Sequence, residues 1–354
     1  MKDIEIDAAL HEAGICWIDV RSPGEFQTAT IPGAANVPLF DNEERAQIGT
    51  LYKQQGKKEA IHLGMEIVSP KIPHLVKSVQ EVSQGRTPLL FCWRGGMRSR
   101  SMAVFLDLVE MPVLRLKGGY RAYRENVVQR LSNYCLQPRL IVLHGLTGVG
   151  KTALLHRLRT SGLPVLDLEG LAGHRGSAFG SLGEIHPRNQ RMFDSLLLRT
   201  LEEYSEAPYL FMEAESRRIG RVHMPDFLEE AKEAGISVLV EASMETRVHH
   251  ILDSYLADAG NHETFHQDVL DALARIDRRF PPETRTQLHE WAQREEYAPM
   301  VQTLLQEYYD PRYRHTQDPY EKTCALRICS NDLDRATEDL KRFYRQLQPA
   351  RAHT

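Results

Sequence analysis

A glycine-rich loop between a strand and a helix constrains the fold of this chain more than any other feature. The apolar run at 139–144 leads directly into GLTGVGKT at 145–152, and residues 153–158 continue with helical character. This is GxxxxGK[ST] in the context that a phosphate-binding loop requires. Backbone N–H groups can face phosphates, the lysine supplies a point charge, and the threonine hydroxyl can reach Mg²⁺. The predicted phosphate-binding residues are Gly145, Thr147, Gly148, Gly150, Lys151 and Thr152.

Charged residues follow the strands predicted after this loop. Residues 164–169, 209–215 and 237–242 predict three more strands, an order that fits a P-loop α/β domain. An acidic residue after such a run is typical of a metal or water ligand. The segment 173–180 predicts a binding loop near the phosphates, with a plain surface loop as the alternative. The candidates for a substrate clamp are Asp167, Glu169, His174, Arg175, Glu215, Arg217 and Arg218.

A second strand–loop–helix pattern carries a single cysteine. Residues 88–91 predict a buried strand, residues 99–109 predict a helix, and FCWRGGMRS at 91–99 joins them. A cysteine in this position lies among free backbone N–H groups at the positive end of a helix dipole, which favours a thiolate and binds anions. We predict Cys92 and Arg98 as catalytic residues, and Arg94, Gly95 and Gly96 as phosphate-binding residues. The alternative is a buried structural cysteine, which neighbouring arginines and glycines disfavour.

Composition limits the class of protein. A chain of 354 residues is long enough for two domains, and a net charge of −4 gives no overall basic field for nucleic acid. The five cysteines are scattered and lack metal-ligand spacing, which indicates a reducing compartment and no zinc site. The first residues have no apolar signal core, and no apolar run approaches membrane-spanning length. We therefore expect a soluble cytoplasmic protein that is not bound to a membrane.

Strands that alternate with helices divide the chain into two α/β domains. We predict the first domain, a small parallel sheet covered on both faces, over 1–124, and a helical linker over 125–138. The P-loop α/β domain follows over 139–245, and its helical C-terminal extension covers 246–354.

The first domain resembles the rhodanese family. The matching segments are DVR at 19–21 with Glu25-Phe26, IPGA at 31–34, the Cys92 loop and GGY at 118–120. The resemblance implies a loop cysteine that carries sulfur or selenium as a persulfide or perselenide. The five residues between Cys92 and Arg98 make a loop longer than in many sulfurtransferases and closer to that of the phosphatases that share the fold. The extra room suits a donor that bears phosphate.

The C-terminal helices mix arginine with aromatic residues. This mixture suits RNA, because arginines meet phosphates and rings stack on unpaired bases. A solvated helix face and a packed turn explain it equally well. The scattered histidines, His249, His250, His262 and His266, are interpreted as surface or helix-face residues, with metal ligands as the alternative. The candidate tRNA-binding residues are Arg278, Arg279, Tyr309, Arg312, Tyr313 and Arg314.

The full pattern resembles the tRNA 2-selenouridine synthase family. Beyond the two domain signatures, the resemblance includes GT at 49–50 with YKQQG at 52–56, DLEGLA at 167–172 with HRGS at 174–177, ESR at 215–217, and EYYDP at 307–311. It implies that a wobble 2-thiouridine of tRNA is first geranylated on sulfur with geranyl diphosphate. Selenium from selenophosphate then displaces the S-geranyl group, giving 2-selenouridine. An enzyme that supplies selenophosphate is an expected partner.

Two phosphate-bearing donors suit two phosphate loops. We expect the P-loop to bind geranyl diphosphate, with Mg²⁺, and the Cys92 loop to bind selenophosphate. Three alternatives remain: a rhodanese-type sulfurtransferase fused to an ATP-dependent kinase-like domain, a Cys-x5-Arg phosphatase, and a non-catalytic tRNA-binding sulfur-relay module.

Overall fold

The computed structural model describes residues 1–174, 187–257, 262–312 and 323–348, and the side chains of 256–264 lie outside the description. The chain divides into two units. One unit, the cysteine-loop unit, comprises Met1–Asn133 together with Arg191–Leu198. The other, the P-loop unit, comprises Tyr134–Gln190 and Arg199–Thr354.

The cysteine-loop unit is built on a five-stranded parallel sheet in the order β1-β5-β4-β2-β3. Its strands are β1 (Lys2–Ile4), β2 (Ile15–Asp19), β3 (Ala35–Asn36), β4 (Thr87–Phe91) and β5 (Leu114–Leu116). Its helices are α1 (Ile6–His11), α2 (Pro23–Thr28), α3 (Asn42–Gln55), α4 (Lys57–Val68), α5 (Ile72–Ser83), α6 (Met97–Asp107) and α7 (Gly119–Ser132). A 3₁₀ turn, Ser69–Lys71, joins α4 to α5.

The register of the central strands positions the cysteine loop. Leu89, Leu90 and Phe91 of β4 are fully buried, as expected for a parallel strand covered on both faces. Asp19 of β2 pairs with Phe91 of β4, so the two strands end at the same level of the sheet. The segment after β2 and the loop that begins at Cys92 therefore leave the sheet side by side.

The P-loop unit has a second five-stranded parallel sheet, in the order β12-β11-β6-β8-β7. Its strands are β6 (Arg139–His144), β7 (Val165–Leu166), β8 (Tyr209–Glu213), β11 (Ile236–Glu241) and β12 (Leu326–Cys329), with a small antiparallel pair β9 (Arg218–Ile219) and β10 (Val222–His223). The helices before β11 are α8 (Lys151–Thr160), α9 (Leu168–Ala172), α10 (Gln190–Glu203) and α11 (Asp226–Glu233). After β11 come α12 (Met244–Ala257), α13 (His262–Ile276), α14 (Pro282–Gln293), α15 (Tyr297–Leu304) and α16 (Leu333–Leu347).

The helices after β11 have a core of their own. Phe265, Leu273, Leu288, Leu304 and Leu305 are among the apolar side chains buried there. A 3₁₀ turn, Asp277–Arg279, follows α13, and a π-helical turn, Leu305–Tyr309, continues α15. In the part of the chain that the structure describes, no helix is both long enough and apolar enough to span a membrane.

The predicted fold class is confirmed: a parallel α/β domain precedes a P-loop-like α/β domain with a helical C-terminal region. Two details differ from the predicted boundaries. Helix α7 runs through the first half of the predicted linker and ends at Ser132, so 125–132 belongs to the cysteine-loop unit. The predicted C-terminal extension is also not purely helical, because β12 returns to the sheet and pairs with β11.

Candidate functional sites

Cys92 is the first residue after β4, in the loop that leads to α6. It is 3% exposed, and its Sγ accepts a hydrogen bond from the Gly96 N–H at 3.2 Å. The Ser99 hydroxyl, in the first turn of α6, lies 3.4 Å from the same sulfur. The loop therefore wraps around the thiol and directs a backbone donor at it, as the sequence predicts for an anion-binding cysteine loop.

The Gly118-Gly119 turn holds this loop in place. The N–H groups of Tyr120 and Arg121 donate to the carbonyl oxygens of Cys92 and Trp93 at 2.9 and 3.0 Å. Gly119 has φ +61°, and a Cβ there would lie 2.2 Å from the Cys92 carbonyl oxygen. Only glycine fits this approach, which explains physically why GGY accompanies the cysteine loop in the sequence.

The DVR segment forms a buried frame beside the loop. The Arg21 guanidinium donates to Asp19, with 2.5 Å between Nη2 and Oδ2, and its Cζ lies 4.3 Å from the ring centroid of Tyr120. Thr30 Oγ1 donates to the same Asp19 carboxylate at 2.9 Å. Arg21 and Asp19 are 2% and 0% exposed, so this pair supports the cysteine loop and does not face a ligand.

Arg98 contacts a carboxylate in this structure. Its Nη1 and Nη2 donate to Glu25 at 2.5 and 3.3 Å, and Arg45 lies 3.7 Å from Glu25 on the other side. Burial raises the pKa of Glu25, but the hydrogen bond and charge of Arg98 outweigh it and lower that pKa overall. The sequence predicts Arg98 as a phosphate ligand; in the structure Glu25 occupies its donors and offsets its charge. Arg94 and Gly96 are exposed beside it.

The P-loop has its predicted position between β6 and α8. Gly148 and Gly150 have φ of +83° and +85°, values that favour glycine. Lys151 Nζ donates to the Gly145 and Leu146 carbonyls at 2.8 and 3.3 Å. The Lys151 ammonium thus lies against the carbonyl groups at the start of the loop.

Side chains that are distant in the sequence contact the backbone carbonyl groups of the P-loop. Arg247 of α12 donates from Nε to the Thr147 carbonyl at 2.9 Å and forms a buried ion pair with Asp310. One turn later in α12, His250 Nδ1 lies 3.1 Å from the Gly148 carbonyl. Ser330, after β12, donates to the Val149 carbonyl at 2.6 Å. His250 is therefore part of the loop's support, which its interpretation as a helix-face residue does not anticipate.

Three carboxylates meet beside Thr152. One oxygen each from Glu169, Glu213 and Glu215 lies within 4.8 Å of the others, and the Thr152 hydroxyl is 3.3 Å from both Glu169 and Glu213. Glu213 ends β8 and is 1% exposed, and its Oε1 has no hydrogen-bond partner among the described residues. The sequence selects Glu169 and Glu215 but omits Glu213, although an acidic residue that ends an apolar strand could have identified it.

The electrostatics of this cluster favour a cation. Burial, and then the charge of Glu215, raise the pKa of Glu169 to about 7. Burial and the neighbouring Glu169 raise the pKa of Glu213 well above its usual range. Carboxylate and hydroxyl oxygens are the ligands that Mg²⁺ prefers, and a divalent ion would relieve the repulsion between the carboxylates. The residues present therefore fit the Mg²⁺ expected at the P-loop.

The other predicted clamp residues have structural partners. Asp167 caps α9 by accepting from the Gly170 N–H at 2.8 Å, and His156 lies 3.1 Å from it. His174 packs against Gly220, where a Cβ would lie 2.7 Å from the imidazole ring. Arg217 forms an exposed ion pair with Asp226, and Arg218 donates to the Gly220 carbonyl at 3.1 Å. Arg175 lies outside the described residues.

The predicted RNA contacts divide by exposure. Arg278, Arg279 and Arg312 are exposed, and Arg312 lies 3.7 Å over the ring of Tyr308. Tyr309 is 8% exposed and packs in the core of the C-terminal helices, a position that favours the packed-turn alternative over a contact with RNA. Tyr309 lies in the π-helical turn with its ring buried, and the adjacent Asp310 forms an ion pair with Arg247. Tyr313 and Arg314 lie outside the described residues.

Two family models match the chain. Residues 4–126 match the rhodanese-like domain, and residues 138–342 match the tRNA 2-selenouridine synthase AAA domain. A protein from Nitrosomonas europaea named tRNA 2-selenouridine synthase is 34% identical over 334 residues, which cover 90% of this chain and 84% of the relative. A relative of the same name from Hahella chejuensis is 33% identical, and the match covers 91% of this chain and 91% of the relative. Another, from Cupriavidus pinatubonensis, is 32% identical, and the match covers 93% of this chain and 95% of the relative.

Proposed function

The chain belongs to the tRNA 2-selenouridine synthase family, and we propose that it converts 2-thiouridine at the wobble position of tRNA into 2-selenouridine. The observation that carries the proposal is the presence of two different anion loops in one chain, one around the Cys92 thiol and one that begins at Gly145. Each loop follows the end of a parallel strand and precedes a helix, where backbone N–H groups attract phosphate. Two such loops suit a reaction with two phosphate-bearing donors.

In the first proposed step the uridine sulfur is alkylated. The sulfur of 2-thiouridine attacks C1 of geranyl diphosphate, the C–O bond breaks, diphosphate leaves, and the N3 proton of the base is lost. Lys151 and the loop N–H groups bind the diphosphate and stabilise its growing negative charge. Glu169, Glu213, Glu215 and Thr152 would hold Mg²⁺, which when bound supplies further charge neutralisation at the leaving group.

In the second proposed step selenium replaces the alkylated sulfur. Alkylation turns a thiocarbonyl sulfur into a thiol leaving group. The selenium of selenophosphate attacks C2 of the base, the C–S bond breaks and geranyl thiol leaves; water then cleaves the P–Se bond and releases phosphate. No atom changes oxidation state by this route, so no external oxidant is needed. The Cys92 loop binds the phosphate of the donor, with the thiol beside the selenium.

A perselenide on Cys92 is the alternative form of this step. Selenium that passes from selenophosphate to the Cys92 sulfur becomes oxidised, and phosphorus leaves in reduced form as phosphite. After the perselenide selenium attacks C2 and geranyl thiol leaves, an added thiol must reduce the S–Se bond to release 2-selenouridine. The phosphorus product therefore distinguishes the two routes, since direct attack yields phosphate alone. ³¹P NMR of the completed reaction measures this ratio.

The proposal is tested by mass spectrometry of tRNA nucleosides after incubation with geranyl diphosphate, with selenophosphate, and with both. We expect S-geranyl-2-thiouridine with the first donor alone and 2-selenouridine only with both. Lys151→Ala should abolish geranylation but leave selenation of pre-geranylated tRNA. Cys92→Ala should accumulate geranylated tRNA. Unchanged nucleoside masses with both donors would overturn the proposal.

The same samples test the rival functions. Steady ATP turnover without tRNA would favour the kinase-like alternative. Cys92-dependent hydrolysis of an aryl phosphate would favour a phosphatase. Binding of tRNA without any change in nucleoside mass would favour a non-catalytic module.

A further inference from the structure

Helices α3 and α4 form a hairpin that projects an exposed tip. The two helices are joined by Gly56 alone, whose φ of +99° allows the sharp reversal. Every residue of 52–59 except Gly56 is exposed, and the Tyr52 side chain is 56% exposed. The YKQQGKKE segment at 52–59 is thus a solvent-facing surface, although it belongs to one of the motifs that relate this chain to its family. We refer to it as the hairpin tip.

The positive charge of the hairpin tip has no ion-pair partner in the part of the chain that the structure describes. Lys53, Lys57 and Lys58 form no ion pair with any residue that the structure describes. By contrast, Arg45 near the start of α3 and Lys71 after α4 pair with Glu25 and Glu44. Lys57 and Lys58 also occupy the first turn of α4, where a positive charge opposes the helix dipole. Glu59 in the same turn offsets one of these charges, and the remaining excess of lysine beside an exposed tyrosine points to an external, negatively charged partner.

The base of the hairpin is tied to the cysteine loop. Asn42 at the start of α3 accepts from the Gly24 N–H at 2.8 Å, and Arg45 lies 3.7 Å from Glu25. Glu25 in turn holds Arg98 of the cysteine loop. Helix α3 has 14 residues, which place the tip about 20 Å from this base. A ligand that reaches from the Cys92 loop to the tip must therefore be a macromolecule.

We propose that the hairpin tip binds the substrate tRNA outside the modified nucleotide. Lys53, Lys57 and Lys58 contact backbone phosphates, and Tyr52 stacks on an unpaired base. The inference rests on the proposed function, because it takes tRNA as the macromolecule that also reaches Cys92. Lysine side chains beside an exposed tyrosine ring suit RNA, because phosphates and unpaired bases lie side by side in it.

The test measures tRNA affinity at several salt concentrations with the full chain. In the K53Q/K57Q/K58Q variant, three lost phosphate contacts should weaken binding at least about tenfold and reduce the slope of log K against log salt by about 2–3. The matched control is K2Q/K77Q/K117Q, which removes the same charge from exposed positions of the same unit. The control variant should bind tRNA with nearly the affinity and salt slope of the unaltered chain.

Tyr52 is tested separately. Tyr52→Ala should weaken tRNA binding about tenfold with little change in the salt slope, whereas Tyr52→Phe, which keeps the ring, should bind normally. Equal unfolding midpoints verify that these exposed substitutions leave the fold intact. Unchanged affinity and slope in the triple variant, or an equal loss in the matched control, would overturn the inference.

The two proposals fail in different ways. If the unaltered chain makes 2-selenouridine and the tip variants bind and modify tRNA as it does, only the tip inference is wrong. If the unaltered chain leaves tRNA nucleosides unchanged and binds no tRNA, the proposed function falls and the tip inference falls with it. Retained activity with a raised KM for tRNA, and an unaltered kcat, supports both.

Discussion

Arg247 and Asp310 form a buried ion pair that fixes the outer side of the P-loop. Nη1–Oδ2 and Nη2–Oδ1 distances are 2.9 and 2.5 Å, and the remaining Arg247 donor, Nε, reaches the Thr147 carbonyl. Each of the three guanidinium nitrogens thus donates a hydrogen bond, two to a carboxylate and one to the loop. The EYYDP segment therefore acts on the P-loop through Asp310.

Breaking this pair should disturb the P-loop strongly. Asp310→Asn leaves a buried guanidinium without its counter-charge, which should lower the free energy of unfolding by about 3–5 kcal/mol. Calorimetry should show that this variant loses more affinity for diphosphate than it loses for tRNA. Asp226→Asn is the matched control, because the exposed Arg217–Asp226 pair should contribute about 0–1 kcal/mol. Equal losses in both variants would contradict a specific role for Asp310.

The carboxylate cluster predicts how the proposed geranylation depends on metal. Glu213→Gln removes one carboxylate ligand from the candidate cation site, so the Mg²⁺ concentration for half-maximal geranylation should rise about tenfold or more. Selenation of pre-geranylated tRNA should be unaffected. Glu206→Gln, at an exposed position of the same unit, serves as the control. A Glu213→Gln chain with an unchanged Mg²⁺ requirement would show that the cation, if any, binds elsewhere.

The Arg98–Glu25 contact predicts opposite effects at the cysteine loop. Arg98→Gln removes the cation, so we expect phosphate to bind the loop about tenfold more weakly. Glu25→Gln removes a negative charge from beside the loop and leaves Arg98 free to contact an anion, so phosphate affinity should rise several-fold. Titration of inorganic phosphate, monitored by NMR, measures both. A loss of affinity in Glu25→Gln would instead identify Glu25 as the residue that orients Arg98.

Acid should destabilise the P-loop unit through His144. Burial, followed by the charges of Lys151 and Lys232, lowers the pKa of His144 to about 4. Below its usual pKa of 6.5 the unfolded chain takes up a proton that the folded chain refuses, so stability is complete above 6.5 and is lost as pH falls toward 4. At about pH 5 this loss amounts to about 2 kcal/mol.

His144→Asn should remove that part of the pH dependence. Urea unfolding at about pH 7 and pH 5 should show a smaller difference in the variant than in the unaltered chain. His249→Asn is the control, since the His249 side chain is 72% exposed. Identical pH slopes in all three chains would contradict the assignment.

Local patterns made much of the fold predictable. The P-loop and the cysteine loop each lie between an apolar strand and a helix, so their position needs no long-range information. The sequence does not predict strand β12, because Leu326–Cys329 is short, contains Arg327 and is only half buried at an edge of the sheet. Four residues are too few to show a clear alternation of apolar and polar side chains.

Long-range contacts determine features of the sites that local patterns in the sequence do not predict. Arg247 and Asp310 are 63 positions apart, and neither residue type signals that it will be buried with the other. The arginine–aromatic mixture near Tyr309 fits RNA binding and core packing equally, and burial decides for the core. Arg98 matches a phosphate ligand in sequence, but Glu25, 73 positions away, determines what it contacts in the fold.

The Ser330–Val149 hydrogen bond has a consequence for biosynthesis. It joins residues 181 positions apart, and β12 completes the sheet just before Ser330. During synthesis the P-loop therefore acquires its full set of supporting contacts only after nearly the whole chain has been made. The strands of the first sheet, by contrast, are all present once Leu116 has left the ribosome. A premature stop codon or a proteolytic cut before residue 326 would spare that first sheet and leave the nascent P-loop without its last strand.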